Sequence, residues 1–354
     1  MRRPLRFLAA AACAAMRLGA QQAAPITIPD AVSCTKCNIV TRPVATLGTA
    51  DGPGSLSGGL PTVRVDGRGR YWVIQEGELP FVYDANGRFL QAVGHKGNGP
   101  GEFENVNGAL AVTGDSMSVW DDNRLTVVDP SLVPRRIVRR EPGWSLSAIA
   151  AWPTSVLLVR TAWRREATWQ MMARGSMEGD AVRIQSGFGT TYEGIAAIEQ
   201  HRADVSLVMS GRFWAVESAT YALRDWDLAS GRSREFQRDA ALFKNPPATG
   251  PKPAAAHVVQ DSDGLVWVAV LVQAPTWRDA IPKGGGEVSV KQIAWEKYYR
   301  TVVEVIDPKS ARVVTRKPLD QIVLGFLPGN RAALYSVDAD GIPRIQIIEM
   351  QTRD

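Results

Sequence analysis

Residues 63–93 read VRVDGRGRYWVIQEGELPFVYDANGRFLQAV. Val63 to Val73 is an alternating strand, a Gly67-Arg68-Gly69 turn and a second strand ending in Tyr71-Trp72-Val73. Phe81-Val82-Tyr83-Asp84 opens a third strand, Asn86-Gly87 supplies a tight turn, and Arg88 to Val93 is a fourth. Four short strands joined by tight turns form one antiparallel sheet. Such a sheet is too small to bury both of its apolar faces alone, so it predicts copies of itself on either side.

The copies are present. Leu110 to Val112, a turn at Gly114-Asp115, Ser118-Val119-Trp120, Leu125 to Asp129 and Arg136 to Arg139 repeat the pattern. A looser unit has Ser147 to Ala151, Val156 to Arg160, Trp169 to Ala173 and Val182 to Gln185. Another runs Val205 to Met209, Phe213 to Val216, Tyr221 to Asp227 and Arg232 to Phe236. The next has His257 to Gln260, the turn Asp261-Ser262-Asp263-Gly264, Leu265 to Val270, Val302 to Asp307 and Ala311 to Thr315. Trp72, Trp120, Trp214 and Trp267 fall at equivalent second-strand positions. The last unit, Ile322 to Phe326, Ala332 to Val337 and Ile345 to Glu349, is one strand short, and Ile39 to Leu47 at the other end is available to complete it. The expectation is an all-β, six-bladed β-propeller of four-stranded antiparallel blades, its ring closed by an N-terminal strand in the last blade.

The segment Phe89 to Phe103, FLQAVGHKGNGPGEF, resembles the blade-to-blade junction of NHL-repeat propellers. Asp122-Asn123-Arg124-Leu125-Thr126-Val127-Val128-Asp129 is similar to a segment of the same family that carries the chain from second to third strand. The close likeness covers little more than one repeat, while the blade pattern extends over roughly residues 39–349. A chain leaving a rim strand must turn back toward the axis, which glycine permits, and Phe103 is expected to anchor that crossing by burial. A phosphate cradle is a poor reading of these glycines, because no Lys-Ser/Thr follows them and no helix pattern opens there.

The chain has 354 residues, 45% hydrophobic and 22% charged, a globular composition with no disordered domain. Arg2, Arg3 and Arg6 precede an apolar run from Phe7 to Met16, followed by Leu18-Gly19-Ala20, which outlines a signal peptide over residues 1–20. Arg17 interrupts the run well short of a membrane span. Removal of that leader takes four arginines and no acids, so a formal charge of +5 falls close to neutrality. The Arg135-Arg136 and Arg139-Arg140 pairs then read as a solvated strand edge, and nucleic acid is not an expected partner. The expected product is periplasmic or extracellular, with residues 21–38 an N-terminal extension and residues 39–354 the propeller.

Cys13 lies in the leader, where Ala10 in place of Leu and the short apolar run speak against a lipid anchor. Cys34 and Cys37 remain, spaced for a small-loop disulfide in an oxidising compartment. Zinc would require two further ligands, and Asn38 stands where covalent haem attachment requires His.

In a propeller the second-to-third-strand loops and the blade junctions share one face around the central channel. The residues expected there are Gln75, Glu76 and Glu78; Asp121, Asp122 and Asn123; Trp163, Arg164 and Arg165; and Glu217 and Tyr221. A mixture of acids, bases and aromatics suits recognition of a polar ligand or a protein partner. An insertion, Pro275 to Lys297, carries Gly284-Gly285-Gly286 between Trp277 and Trp295, and is expected to present Trp277, Arg278 and Lys283 as a flap over that face.

Resemblance to propeller lactonases implies an alternative, a divalent ion held at the channel mouth by Glu76, Asp122, Asn123 and Glu217 in a hydrolase of lactone or ester type. Otherwise no cofactor is expected. The turns Asp261 to Gly264 and Asp338 to Gly341 resemble fragments of calcium loops, but lack the remaining spaced carboxylates and suit plain hairpin turns. No Gly-x-Ser-x-Gly elbow or His-Glu-x-x-His motif is present, and His95, His201 and His257 each occupy an ordinary place in the repeat. A non-catalytic binding or interaction propeller is the leading expectation; a structural member of an envelope assembly, marked by a large exposed apolar face, is a third.

Overall fold

The structure is a computed structural model that describes residues 24–57, 59–111, 115–121, 124–140, 148–151, 156–165, 168–178, 181–193, 203–206, 209–282 and 292–353. Within 110–111, 139–140 and 148–203 it describes the backbone only.

Two N-terminal strands, β1 (Ile26–Ile28) and β2 (Asn38–Leu47), precede the repeats. The opening blade is β3 (Thr62–Val65), β4 (Tyr71–Ile74), β5 (Phe81–Tyr83) and β6 (Phe89–Ala92). A short parallel ladder of β7 (His95–Lys96) and β8 (Glu102–Phe103) holds the glycine-rich junction. The next blade is β9 (Val106–Ala111), β10 (Met117–Asp121), β11 (Arg124–Val128) and β12 (Pro134–Arg140). An antiparallel run of β13 (Ala148–Ala151), β14 (Val156–Arg165), β15 (Thr168–Glu178) and β16 (Ala181–Glu193) follows, and β16 pairs with β12 over two residues. Three of these strands run to ten, eleven and thirteen residues, past the ends that alternation in the sequence suggested.

The chain continues through the blades β17 (Ala203–Val205), β18 (Arg212–Glu217), β19 (Ala222–Asp227), β20 (Arg232–Arg238) and β21 (Ala254–Gln260), β22 (Val266–Gln273), β23 (Tyr299–Asp307), β24 (Arg312–Leu319). It ends in β25 (Ile322–Leu327), β26 (Arg331–Val337) and β27 (Pro343–Arg353), and β2 completes that last sheet by pairing along β27 from Asn38↔Arg353 to Leu47↔Ile345. The molecule is an all-β propeller, with five four-stranded blades in a ring among the described residues. The first strands touch in succession around the axis: β25 lies against β3, β3 against β9, β17 against β21, and β21 against β25, while β13 lies against both β9 and β17.

The period of two along each strand builds this ring. Neighbouring side chains leave a strand on opposite faces, so a blade feeds two cores at once. Tyr71, Val73 and Tyr83 enter the core shared with the last blade, beside Ile345 and Ile347. Trp72, Ile74 and Val82 enter the core shared with the following blade, beside Met117 and Val119. In β22, Val266, Val268, Val270 and Val272 pack toward the β17–β20 blade, and Trp267 and Ala269 toward the last blade. A second strand must therefore be apolar on both faces, which is why all four residues of β4 are buried.

One aspartate device recurs in several of the hairpins. Asp66 Oδ1 accepts the Arg68 and Arg70 amides at 3.0 Å each, and its Oδ2 accepts Trp72 Nε1 at 3.0 Å. Asp261 repeats this on the Asp263 and Leu265 amides and on Trp267 Nε1 at 2.7 Å. Asp129 and Asp338 cap their own turns and pair at the sixth residue on with Arg135 and Arg344. The carboxylate thus fixes the turn and the residue that opens the next strand.

The segment before β2 is a strap over the outer edges of the ring. β1 adds a parallel fifth strand to β20 (Ile26↔Phe236, Ile28↔Arg238). Ser33 and Cys34 then donate their amides to Val313 and Val314 of β24, and Thr315 and Lys317 donate side-chain bonds to the Cys37 and Ile39 carbonyls. Cys34 and Cys37 form the expected disulfide within the strap. Beneath it, Arg238 has a fully buried side chain and grips Glu304 through two bonds, 3.0 and 2.9 Å, and Asp30 at 2.8 Å. Arg316 adds a bond to Asp30 at 2.9 Å and an ion pair to Glu304 at 3.2 Å. Burial opposes the Arg238 cation, but Glu304 outweighs it and the net effect raises the Arg238 pKa.

Candidate functional site

Antiparallel order places the ends of β4, β10, β14, β18, β22 and β26, and the starts of the strands that follow them, at the same end of the ring. Glu76 is exposed there, just after β4. Beside it Gln75 is buried, its Oε1 accepting the Ser57 amide at 2.8 Å and hydroxyl at 3.1 Å, while its Nε2 has no partner among the described residues. Asp122 and Asn123 lie outside the described residues, and Arg164, with Trp163 and Arg165, is described in backbone only, on β14.

Three of the expected ligand-binding residues are instead turned inward. Asp121 is buried and pairs with Arg124 at 3.1 Å. The Arg124 guanidinium donates in turn to the carbonyls of Asn98 (2.8 Å), Gly99 (3.3 Å) and Glu102 (2.5 Å), so this pair clamps the glycine junction whose anchor, Phe103, is buried as expected. Glu217 is buried and accepts from Arg224 at 3.2 Å. Tyr221 is buried with its backbone in the left-handed region (φ +54°), and its hydroxyl donates to Glu304 at 2.7 Å. Burial, with the Glu304 carboxylate adding to it, pushes the Tyr221 phenol well above its ordinary pKa. A loop residue bordering a strand cannot be told from a buried one by its type alone, and here the ion partners decide it.

The insertion between β22 and β23 is stapled at its base. The Ala294 amide donates to the Ala280 carbonyl at 3.0 Å and Ala274 to Tyr298 at 3.1 Å, with short helical turns at Trp277–Ala280 and Trp295–Tyr298. Trp295 stacks on Tyr299, and Arg278 is exposed over the face of a half-buried Trp277, 4.7 Å from its ring centre. Residues 283–291, including Lys283 and the glycines, lie outside the described residues.

Of the residues suggested as metal ligands, Glu217 is engaged by Arg224 and Glu76 stands exposed. Among the described residues no three His, Cys, Asp or Glu side chains converge as a metal site. In the turns beginning at Asp261 and Asp338, these carboxylates serve backbone amides and a neighbouring side chain.

The polar cluster that the topology does assemble lies on the first strands, which line the channel. Arg64 sits in β3 between Val63 and Val65, deep in the molecule but half-buried, and its Nη1 comes near Gly325 of β25, where an added Cβ would stand 3.9 Å away. Burial lowers the Arg64 pKa, and the Asp204 carboxylate of β17 opposes that shift across the ring. Asp204 Oδ2 accepts the Val258 amide of β21 at 3.2 Å and faces His257 Nδ1 at 3.5 Å, both side chains about a quarter exposed (27% and 26%). These residues were legible only as ordinary strand members. The signal that marks them is a charged residue in the middle of a first strand, such as Val63-Arg64-Val65 or Ala203-Asp204-Val205.

No protein-family profile matches the chain, and no curated protein matches it in sequence. Solved structures do share the fold. A Bacteroides fragilis protein named for expected export superposes with a TM-score of 0.57 at 8% identity, over 93% of this chain and 100% of the other. A luciferin-regenerating enzyme gives 0.48 at 10% identity, over 87% and 95%. A streptogramin B lyase gives 0.44 at 10% identity, over 89% and 98%. At 8% identity the likeness to the Bacteroides protein speaks to the fold alone.

Proposed function

We propose that the chain is an exported, non-catalytic propeller that binds a small polar ligand in the central channel and at its loop-lined mouth. In this reading residues 1–20 are a removed leader, residues 21–38 form the strap, and β13–β16 count as a sixth blade between β12 and β17. The observation that carries it is the set of polar side chains, Arg64, Asp204 and His257, carried by three first strands around the axis. Taking the Arg64 and Asp204 charges partly out of water is costly without a purpose in folding or binding, and a concave polar site at the axis of a rigid ring is where a ligand is enclosed most fully. Glu76 and the Arg278–Trp277 pair border the mouth as further contacts, and Asp122, Asn123 and Arg164 are proposed to join them.

Among the described residues no helix is long and apolar enough to cross a membrane. Export is supported by the leader pattern and by the disulfide, a bond that persists in oxidising compartments.

The test is a thermal-shift and ligand-observed NMR screen of residues 21–354 against small polar molecules, run in parallel on a His257→Trp variant that obstructs the channel. Hits that stabilise the parent and not the variant are expected, with far-UV circular dichroism confirming an unchanged fold. Hits that stabilise both equally place binding elsewhere and overturn the channel reading.

A further inference from the structure

We infer that the channel ligand is a short zwitterion, a carboxylate at one end and an ammonium at the other, spanning the channel from Arg64 to Asp204. The inference rests on the channel reading and adds the chemistry of the ligand to it.

The Arg64 end is built for a carboxylate. A guanidinium carries five N–H donors in a planar fork, and among the described residues Arg64 spends one on the Val63 carbonyl next to it, at 3.0 Å. Every other arginine with a comparably enclosed side chain among those discussed above has a carboxylate: Arg238 has Glu304 and Asp30, Arg124 has Asp121, and Arg224 has Glu217 and Glu235. Arg64 stands apart from that pattern, and Gly325 leaves the space beside its Nη1 free of a side chain. The Asp204 carboxylate acts on Arg64 only from across the ring, and an incoming carboxylate fits the fork directly with two parallel bonds.

The Asp204 end is built for a donor. One oxygen, Oδ2, serves the Val258 amide and His257, whereas Oδ1 accepts no hydrogen bond among the described residues. Carboxylate oxygens accept and never donate while ionised, so a ligand group placed there must bring its own proton, as an ammonium does. Asp204 also selects by sign. Its negative charge repels a second anionic group, which disfavours dicarboxylates and phosphate, and Arg64 in the same way disfavours diamines.

The two ends also set a length, which the test reads. Calorimetric titration of residues 21–354 with glycine, β-alanine, 4-aminobutyrate and 6-aminohexanoate is expected to give one length that binds best. The dicarboxylate and the diamine of that same length should each bind at least about tenfold more weakly. Arg64→Gln should abolish binding of the amino acid, and Arg64→Lys, which keeps the charge but loses the fork, should retain part of it. Asp204→Asn should weaken the amino acid and strengthen the dicarboxylate. If no member of the series binds while neutral molecules still bind in the channel, the zwitterion is wrong and the channel reading survives. If the amino acid binds Arg64→Gln and Arg64→Lys as it binds the parent, the placement of its carboxylate is wrong.

Discussion

The residue with most at stake is Glu304. Its carboxylate receives Arg238, Arg316 and the Tyr221 hydroxyl beneath the strap, so removing it leaves the buried Arg238 guanidinium with only the part-exposed Asp30, which Arg316 shares. Glu304→Ala is expected to cost about 3–5 kcal/mol in a urea melt, the range for breaking a buried pair from one side. Tyr221→Phe, which removes a bond to a charged acceptor, should cost about 1–2 kcal/mol. Asp30 gives this cluster its pH dependence. Burial pushes its carboxyl up, but the bonds from Arg316 and Arg238 outweigh that and hold its pKa below the ordinary value. A group depressed on folding contributes stability that is complete above its unfolded pKa, about 4, and that is lost as the pH falls through the folded value. Asp30→Asn should therefore flatten the acid limb of a stability-against-pH curve measured below about pH 4 and leave the curve above pH 6 parallel to the parent. An unaltered acid limb would show that Asp30 does not titrate with folding.

At the scale of the element, the hairpins were readable and the strap was not. Asp66-Gly67-Arg68-Gly69 and Asp261-Ser262-Asp263-Gly264 announce turns because Asp and Gly meet backbone needs local to four or five residues. The strand Ile39 to Leu47 could be assigned to the last blade because that blade lacked a strand. β1, by contrast, satisfies no local need: three residues, Ile26 to Ile28, pair in parallel with β20 some two hundred positions away, and their alternation is too short to register. The same limit hid the polar residues on the first strands. Arg64, Asp204 and His257 come from blades far apart in sequence, and only the ring brings them together, whereas Asp121, Glu217 and Tyr221 look like mouth residues until Arg124, Arg224 and Glu304 are seen to hold them. The strap's disulfide closes a loop of only a few residues, worth about 2 kcal/mol in the chain-entropy view. The paired variant Cys34→Ser/Cys37→Ser should therefore melt a few degrees lower in a single transition, and reduction of the parent should reproduce that shift. A split transition would mean that the strap comes free independently of the ring.

The whole molecule depends on pairing β2 with β27, since a ring held open at that point exposes the outer edge of its last blade. Deleting residues 24–47 removes both the strap and the closing strand, and is expected to yield dimers and larger species by size-exclusion chromatography with light scattering, as bare edges recruit one another. A monodisperse monomer would show that the blades hold together through their shared cores alone. The closing pair also fixes an order of events. Asn38 faces Arg353, so the first strand of the closing sheet to leave the ribosome waits, unmatched, for the last one, and about three hundred residues must be synthesised and arranged before the two can meet. Until β27 has been made, β2 has no partner and the circle stays incomplete. The latch therefore acts as a timer, leaving the ring open until its last strand has been made.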